Sequence, residues 1–163
     1  MRADDFLKLY QADGVIKTVA AGINTPSPVR IHLKGLSGSL DAVLAASIFT
    51  LEQRDYILVL QEKEEAAYFQ NDLQNLLQRE ILLLPMSYKR PYEFDETENA
   101  NVLMRAEVLS RISEPDRKPL IVVTYPEALS EKVVSRKTLS ANTFQVSMAE
   151  KLDINFLEEF LRS

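Results

Sequence analysis

The stretch that decides the fold is residues 29–51, VRIHLKGLSGSLDAVLAASIFTL, which predicts a strand, a glycine-containing turn and a helix in succession. Residues 29–34 alternate between apolar and polar side chains, a pattern typical of a strand with one less buried face. The run after Ser39 is rich in alanine and leucine, which favours a helix. This order of elements is the one in which backbone N–H groups converge on a phosphate. The stretch therefore predicts the shape of a phosphate-binding loop.

The chemistry of such a loop is missing. A working loop has the pattern G-x-x-x-x-G-K-[ST], and when it is laid on Gly35 it places Leu40 at the second glycine, Asp41 at the lysine and Ala42 at the hydroxyl. The lysine normally attracts phosphate, and two unit charges ~4 Å apart at an effective dielectric near 20 interact by roughly 4 kcal/mol. A carboxylate at that position repels phosphate, so we expect no bound nucleotide here.

A structural role accounts for the same residues. With Ser39 as the N-cap, Asp41 falls in the first helical turn, where a carboxylate complements the helix dipole by ~0.3–1 kcal/mol. We expect Gly35, Ser37, Gly38, Ser39 and Asp41 to form a degenerate phosphate loop. We expect the chain to hold no cofactor and no catalytic residue.

Composition excludes several classes of protein. A net charge of -5 argues against a dedicated nucleic-acid binder, which usually carries a basic excess. The absence of cysteine excludes disulfides and thiolate metal sites, and a single histidine, His32, weakens any other metal site. The acidic start of the chain does not resemble a signal peptide, and no apolar window reaches the length of a membrane span. We expect a soluble, cytoplasmic, monomeric chain without contact to a membrane.

The N-terminal region predicts a helical arm. A short helix over residues 4–11 and a second from Asp13 or Gly14 to about Ala21 precede a segment with two prolines, Pro26 and Pro28. Prolines so close together cannot continue a helix. We therefore predict a helical arm and linker over residues 1–28.

The rest of the chain alternates between buried-strand and helical patterns. After the strand over 29–34 and its helix, strands are expected over 56–60, 81–84, 120–124 and 143–148, and helices over 63–78, 97–112 and 127–134. Such alternation implies right-handed parallel crossovers and a sheet covered on both faces. The predicted fold class is a three-layer α/β domain with a mostly parallel sheet.

The last residues predict one more helix, over residues 153–163, with Asp153 as its N-cap. The chain stops directly after this apolar helical face, which indicates a fragment of a longer protein. We therefore divide the sequence into an arm over 1–28, a main domain over 29–149 and the start of a small domain over 150–163.

Several segments together resemble the N-terminal part of the bacterial transcription-repair coupling factor family, whose first domains are similar to the excision-repair protein UvrB. The sequence GLSGS at 35–39 resembles the family's degenerate loop of the type G-L-T-G-A. Three further landmarks follow in order, and residues 152–161 resemble the helix that opens the family's next small domain. These landmarks are LP and SYKRPY at 84–85 and 87–92, RAEVL at 105–109, and IVVTYPEAL at 121–129.

The resemblance implies a degenerate RecA-like domain of the P-loop NTPase type that performs no catalysis. It implies a parent protein that is an ATP-driven DNA translocase, displaces stalled RNA polymerase and recruits UvrA for nucleotide excision repair. In the family, ATP and Mg²⁺ act in distant motor domains, and the principal UvrA-binding surface follows the first helix of the small domain. No partner-contact residue is therefore assigned within this sequence. Contacts with UvrA, RNA polymerase and DNA are expected only through the parent.

One segment departs from the UvrB pattern. UvrB has a long tyrosine-rich hairpin after its third strand, whereas this chain has only residues 86–96 with the cluster Tyr88, Lys89, Arg90 and Tyr92. These side chains could stack on bases and contact phosphates, but four acidic residues between positions 93 and 98 oppose such contact. The alternative is a solvated loop whose tyrosines lean on the sheet.

Two other functions stay open: a stand-alone α/β protein-interaction module and an active nucleotide-binding domain. The loop chemistry argues against the second. The encoding reading frame distinguishes the first, because a coupling factor continues into a helicase-like motor.

Overall fold

A computed structural model describes residues 3–87, 98–133 and Ile154. The chain divides into two compact units, residues 1–132 and 133–163. The second unit contributes only Val133 and a helical Ile154 to the description, so the predicted strand over 143–148 and the remainder of the predicted helix over 153–163 lie outside the described residues.

The first unit begins with two helices, α1 (Ala3–Gln11) and α2 (Gly14–Ile23), as the sequence predicts. The Asp13 carboxylate caps α2 by accepting hydrogen bonds from the amides of Val15 and Ile16. Both helices pack against α3 (Leu40–Leu51). The arm is therefore packed into the same unit as the sheet.

The remaining elements alternate between strands and helices. They are β1 (Tyr56–Val59), α4 (Lys63–Leu77), β2 (Leu82–Leu83), α5 (Glu98–Ser113), β3 (Ile121–Thr124) and α6 (Pro126–Ser130). Pro126 stands in the first turn of α6, where the missing N–H has no cost. The second, third and fourth predicted strands are thus confirmed, and α6 ends earlier than the sequence predicts.

Among the described residues, the sheet has three strands in the order β1-β3-β2, and both pairings are parallel. Tyr56 lies opposite Ile121, and Leu82 lies opposite Val122. The α/β class and the parallel sheet of the prediction are confirmed in the described part of the chain.

Helices cover the two faces of the sheet through alternate residues of β3. Ile121 and Val123 belong to a buried cluster with side chains of α3 and α4, including Ala46 and Leu73. Val122 points to the other face and belongs to a cluster with Val108 of α5. This arrangement is compatible with a three-layer fold.

The first predicted strand, residues 29–34, is wrong. The structure assigns no regular secondary structure to these residues, and Val29 and Ile31 are 48% and 43% exposed. Leu33 packs instead against a cluster formed by Ile16 and Val19 of α2 and Ile48 of α3. Alternation reports that one face of a segment is buried but not what covers it, and here the surface of α2 replaces a neighbouring strand.

An ion pair holds the amino end of the sheet. Arg117 donates two hydrogen bonds to the Asp55 carboxylate, of 2.7 and 2.8 Å, and the Leu120 amide donates a third of 3.0 Å. The Arg117 hydrogen bonds and that of the Leu120 amide hold the pKa of Asp55 below its ordinary value, against a smaller opposing effect of burial. Asp55 thereby joins the segments that precede β1 and β3.

Candidate functional site

The degenerate phosphate loop is a turn on the surface of the unit. Gly35 and Gly38 have φ angles of 82° and 58°, which favour glycine, and Ser37 and Ser39 are exposed. The Leu40 amide closes the turn on the carbonyl oxygen of Ser37 at 3.4 Å. Because residues 29–34 form no strand, the loop connects an irregular segment to α3. The strand that normally leads into a phosphate loop is not present before this one.

The start of α3 differs from the prediction in one respect. Ser39 occupies the N-cap position as predicted, but its side chain makes no capping hydrogen bond. Its φ and ψ angles of -78° and 16° lie outside the extended conformation that capping residues usually adopt. Asp41 lies in the first turn as predicted, and its Oδ1 accepts a hydrogen bond of 2.7 Å from the Ala42 amide. The carboxylate therefore takes one of the N–H groups that a phosphate would use.

Residues Tyr88, Lys89, Arg90 and Tyr92 lie outside the described residues. The structure describes the chain up to Ser87, where it leaves the carboxyl end of β2. The predicted contact of these four residues with nucleic acid stays a prediction.

The carboxyl ends of β2 and β3 form the second candidate site, because ligands of parallel α/β sheets bind outside this edge. The Thr124 hydroxyl donates to the Leu84 carbonyl oxygen at 3.0 Å, and the Met86 amide donates to the Tyr125 hydroxyl at 2.9 Å. Side chains and backbone of the two strand ends thus bond to each other.

Arg105 of α5 fills the centre of this edge and is only 5% exposed. Its Nη1 donates to the carbonyl oxygens of Pro85 at 2.9 Å and Ala128 at 3.0 Å. Its Nη2 donates to the Glu131 carbonyl oxygen at 3.1 Å, and its Nε lies 3.5 Å from Oε1 of the same residue. The guanidinium group is therefore engaged through all three of its nitrogens.

Glu131 completes the network from the end of α6, with a side chain that is 7% exposed. The Ser87 amide donates to Oε2 at 2.8 Å, and the Ser87 hydroxyl donates to Oε1. Burial raises the pKa of the Glu131 carboxyl, but the hydrogen bonds from Ser87 and the charge of Arg105 outweigh burial and lower the pKa below its ordinary value. Glu131 is therefore held as a carboxylate.

The arrangement is structural rather than reactive. The donors of Arg105 point at backbone oxygens and at a carboxylate, and the Ser87 hydroxyl is bonded to a carboxylate that is already engaged with Arg105. Such contacts rigidify an edge and leave no free base beside a nucleophile. We call these residues the edge network; its members are Arg105, Glu131, Ser87 and Tyr125.

The sequence analysis assigned no role to Arg105 or Glu131. A signal was available for Arg105, because it stands among Val102, Val108 and Leu109 on the apolar positions of a predicted helix. A charged residue at such a position is buried only when it is paired. For Glu131, which follows a short helix, no periodic pattern exists that could have indicated burial.

Among the residues that the structure describes, no group of three or more potential metal ligands converges on one point. Within the same residues, no helix combines the length and apolarity needed to cross a membrane. Comparison of the chain with family models, with curated proteins and with solved structures finds no match.

Proposed function

We propose that the chain is a non-catalytic, UvrB-like scaffold domain of a transcription-repair coupling factor, built as a degenerate RecA-like domain of three layers. Its parent displaces stalled RNA polymerase, recruits UvrA for nucleotide excision repair, and uses ATP and Mg²⁺ in distant motor domains. The ordered landmarks between the loop at 35–39 and the segment at 121–129 support the family. The parallel α/β sheet with helices on both faces supports the fold.

The observation that carries the non-catalytic part of the proposal is the closed carboxyl edge. An α/β domain that binds a nucleotide needs free backbone groups and space outside the strand ends. Here Arg105 and Glu131 occupy that place between β2 and β3, with hydrogen bonds of 2.8 to 3.1 Å to the surrounding segments. The Asp41 carboxylate supports the same conclusion at the glycine loop, because it already accepts a helix N–H group.

Isothermal titration of the chain with Mg-ATP and Mg-ADP tests the non-catalytic assignment. We expect no heat of binding from the native chain. A variant with Leu40→Gly, Asp41→Lys and Ala42→Thr serves as the matched comparison, because it restores the pattern of a working loop. Micromolar binding by the native chain would overturn the assignment, whereas binding by the variant alone would show that only the side chains of the loop prevent it.

The family assignment has a separate test in the encoding reading frame. We expect the frame to continue beyond Ser163 into a helicase-like motor. A frame that stops at Ser163 refutes the coupling-factor assignment and leaves the titration result standing by itself.

A stand-alone protein-interaction module is the second candidate, and one feature of β1 favours it. Ile57 and Val59 are 63% and 51% exposed on a strand that is the edge of the described sheet. The sequence YILV of this strand contains none of the charges or prolines that usually protect an edge. The same reading frame decides between the candidates, because a frame complete at Ser163 favours the module.

A further inference from the structure

We propose that Arg105 is a latch that couples the segment leaving β2 to the C-terminal end of α6 and its C-cap, so that the two open and close together. The segments are residues 85–87 and 128–131. The coupling goes beyond the scaffold function proposed above and holds whatever the family of the chain, because it concerns only the contacts of described residues.

The first argument is that one guanidinium group bonds to both segments. Nη1 alone donates to the carbonyl oxygens of Pro85 and Ala128, which are 43 residues apart in the sequence. Nη2 donates to the Glu131 carbonyl oxygen. The planar guanidinium group offers five donors in a fixed fork, so it can bond to three carbonyl oxygens at once.

The second argument is that the direct bond between the segments depends on the same cation. Ser87 bonds through its amide and its hydroxyl to the Glu131 carboxylate, which lies 3.5 Å from Nε of Arg105. Without Arg105 this carboxylate is buried and unpaired, and it is then stable only if it moves to water or binds a proton. Either event weakens its bonds to Ser87. Loss of the guanidinium group therefore releases residue 87 as well as residues 128 and 131.

The third argument is that the sheet beneath the edge does not rely on Arg105. The Leu84 amide donates to the Val123 carbonyl oxygen at 2.9 Å, and the Thr124 hydroxyl bonds to the Leu84 carbonyl oxygen. These bonds belong to the pairing of β2 with β3. The unit controlled by Arg105 therefore begins after Leu84, although the Met86 amide within it has its own bond to the Tyr125 hydroxyl. Such local opening above a stable core is common.

Amide hydrogen exchange of the full chain, followed residue by residue by NMR, tests the latch. The informative amides are Ser87 in the first segment and Leu129 in the second, whose amide donates to the Tyr125 carbonyl oxygen. Leu84 reports on the sheet. In Arg105→Ala we expect exchange at Ser87 and Leu129 to accelerate together by at least about tenfold, which corresponds to 1.4 kcal/mol. Leu84 is expected to stay within about twofold of the native rate.

Three comparisons make the outcome decisive. Methylguanidinium at millimolar concentration should fill the vacated space in Arg105→Ala and restore protection at both amides, whereas methylammonium at equal concentration should not. Arg105→Lys retains the charge but has no planar fork, so we expect an intermediate acceleration at both amides. Arg111→Ala removes an arginine of the same helix that pairs with Glu80 and Glu107 at the surface, and it should leave both amides unchanged.

Acceleration at only one of the two amides would overturn the latch, as would unchanged exchange at both. If Arg105→Ala also accelerates exchange of the Leu84 amide, the variant has lost its sheet. The rescue experiment with methylguanidinium then tests the latch. Joint recovery of Ser87 and Leu129 with methylguanidinium supports the latch, and absence of recovery refutes it.

Discussion

Two fully buried hydroxyl groups of this chain provide a test of how its core is stabilised. Ser47 in α3 and Thr124 in β3 both have 0% exposure. The Thr124 hydroxyl donates to the Leu84 carbonyl oxygen, whereas the Ser47 hydroxyl has no hydrogen-bond partner within the described part of the chain. Removal of the two oxygens should therefore change stability in opposite directions.

Ser47→Ala should stabilise the protein. A buried polar group without a partner costs about 1–3 kcal/mol, and its removal recovers that cost. Alanine also has the higher helix propensity, with a gain of at most about 0.7 kcal/mol. The space left by one oxygen is too small to offset these gains, so we expect an increase of about 1–3 kcal/mol in the free energy of unfolding.

Thr124→Val should destabilise the protein. The substitution keeps the branched shape but removes the donor, so the Leu84 carbonyl oxygen loses this bond. The expected loss is about 1 kcal/mol.

Urea unfolding followed by far-UV circular dichroism and tyrosine fluorescence measures both changes. With a typical slope of about 2 kcal/mol per molar urea, the midpoint of Ser47→Ala should rise by about 0.5–1.5 M and that of Thr124→Val should fall by about 0.5 M. A midpoint for Ser47→Ala at or below the native value would refute the argument, because it would mean that the hydroxyl is hydrogen-bonded or that its volume matters more than its polarity.

Three further predictions concern charges and backbone conformation. Arg111→Ala, which breaks exposed pairs with Glu80 and Glu107, should lower the free energy of unfolding by less than about 1 kcal/mol in the same urea assay. Asp55→Asn should make the free energy of unfolding less sensitive to acid. The pKa of Asp55 in the folded state lies below its ordinary value of about 3.9, so its pair with Arg117 stabilises the fold fully above that value. This contribution is lost as the pH falls through the lowered pKa. Urea midpoints between about pH 5 and pH 2 measure this effect, and equal acid sensitivity of native chain and variant would contradict it. Gln78→Gly should raise the free energy of unfolding by up to about 1 kcal/mol, and with it the thermal midpoint, because Gln78 ends α4 with a φ of 48° that glycine adopts without strain. A lower midpoint would show that the hydrogen bond from the Gln78 side chain to the Asn75 carbonyl oxygen outweighs the strain.

Elements whose patterns depend on local sequence could be predicted. Runs such as ILLL at 81–84 and LIVV at 120–123 are apolar throughout, and a buried parallel strand requires such runs. The run YILVL at 56–60 also predicts a strand, although Ile57 and Val59 on one of its faces are exposed. Asp13 before α2 and Pro126 at the start of α6 are terminus signals that act within a few residues.

Features that depend on distant partners could not be predicted. Residues 29–34 have the alternation of a strand, but α2 buries Leu33 in place of a sheet, and no local pattern distinguishes the two. The edge network joins residue 87 to residue 131 and both to residue 105, so its formation depends on the fold that brings them together. In the glycine loop, the position of Asp41 could be predicted because it follows from helix register. The missing capping hydrogen bond of the Ser39 side chain depends on backbone angles that the residue type does not determine.

The strand order has a consequence for synthesis of the chain on the ribosome. Within the residues that the structure describes, β1 and β2 each pair only with β3, which is the last of the three strands to leave the ribosome. Asp55 and Leu120, which flank the first pairing, are 65 residues apart, and elongation at about 5–20 residues per second takes about 3–13 s to cover that distance. During this interval the apolar segment YILV has no backbone partner in the sheet, while α1, α2 and α3 are already complete. The three N-terminal helices can therefore pack first. The nascent chain then carries β1 as an unpaired strand until β3, the central strand of the described sheet, has been synthesised.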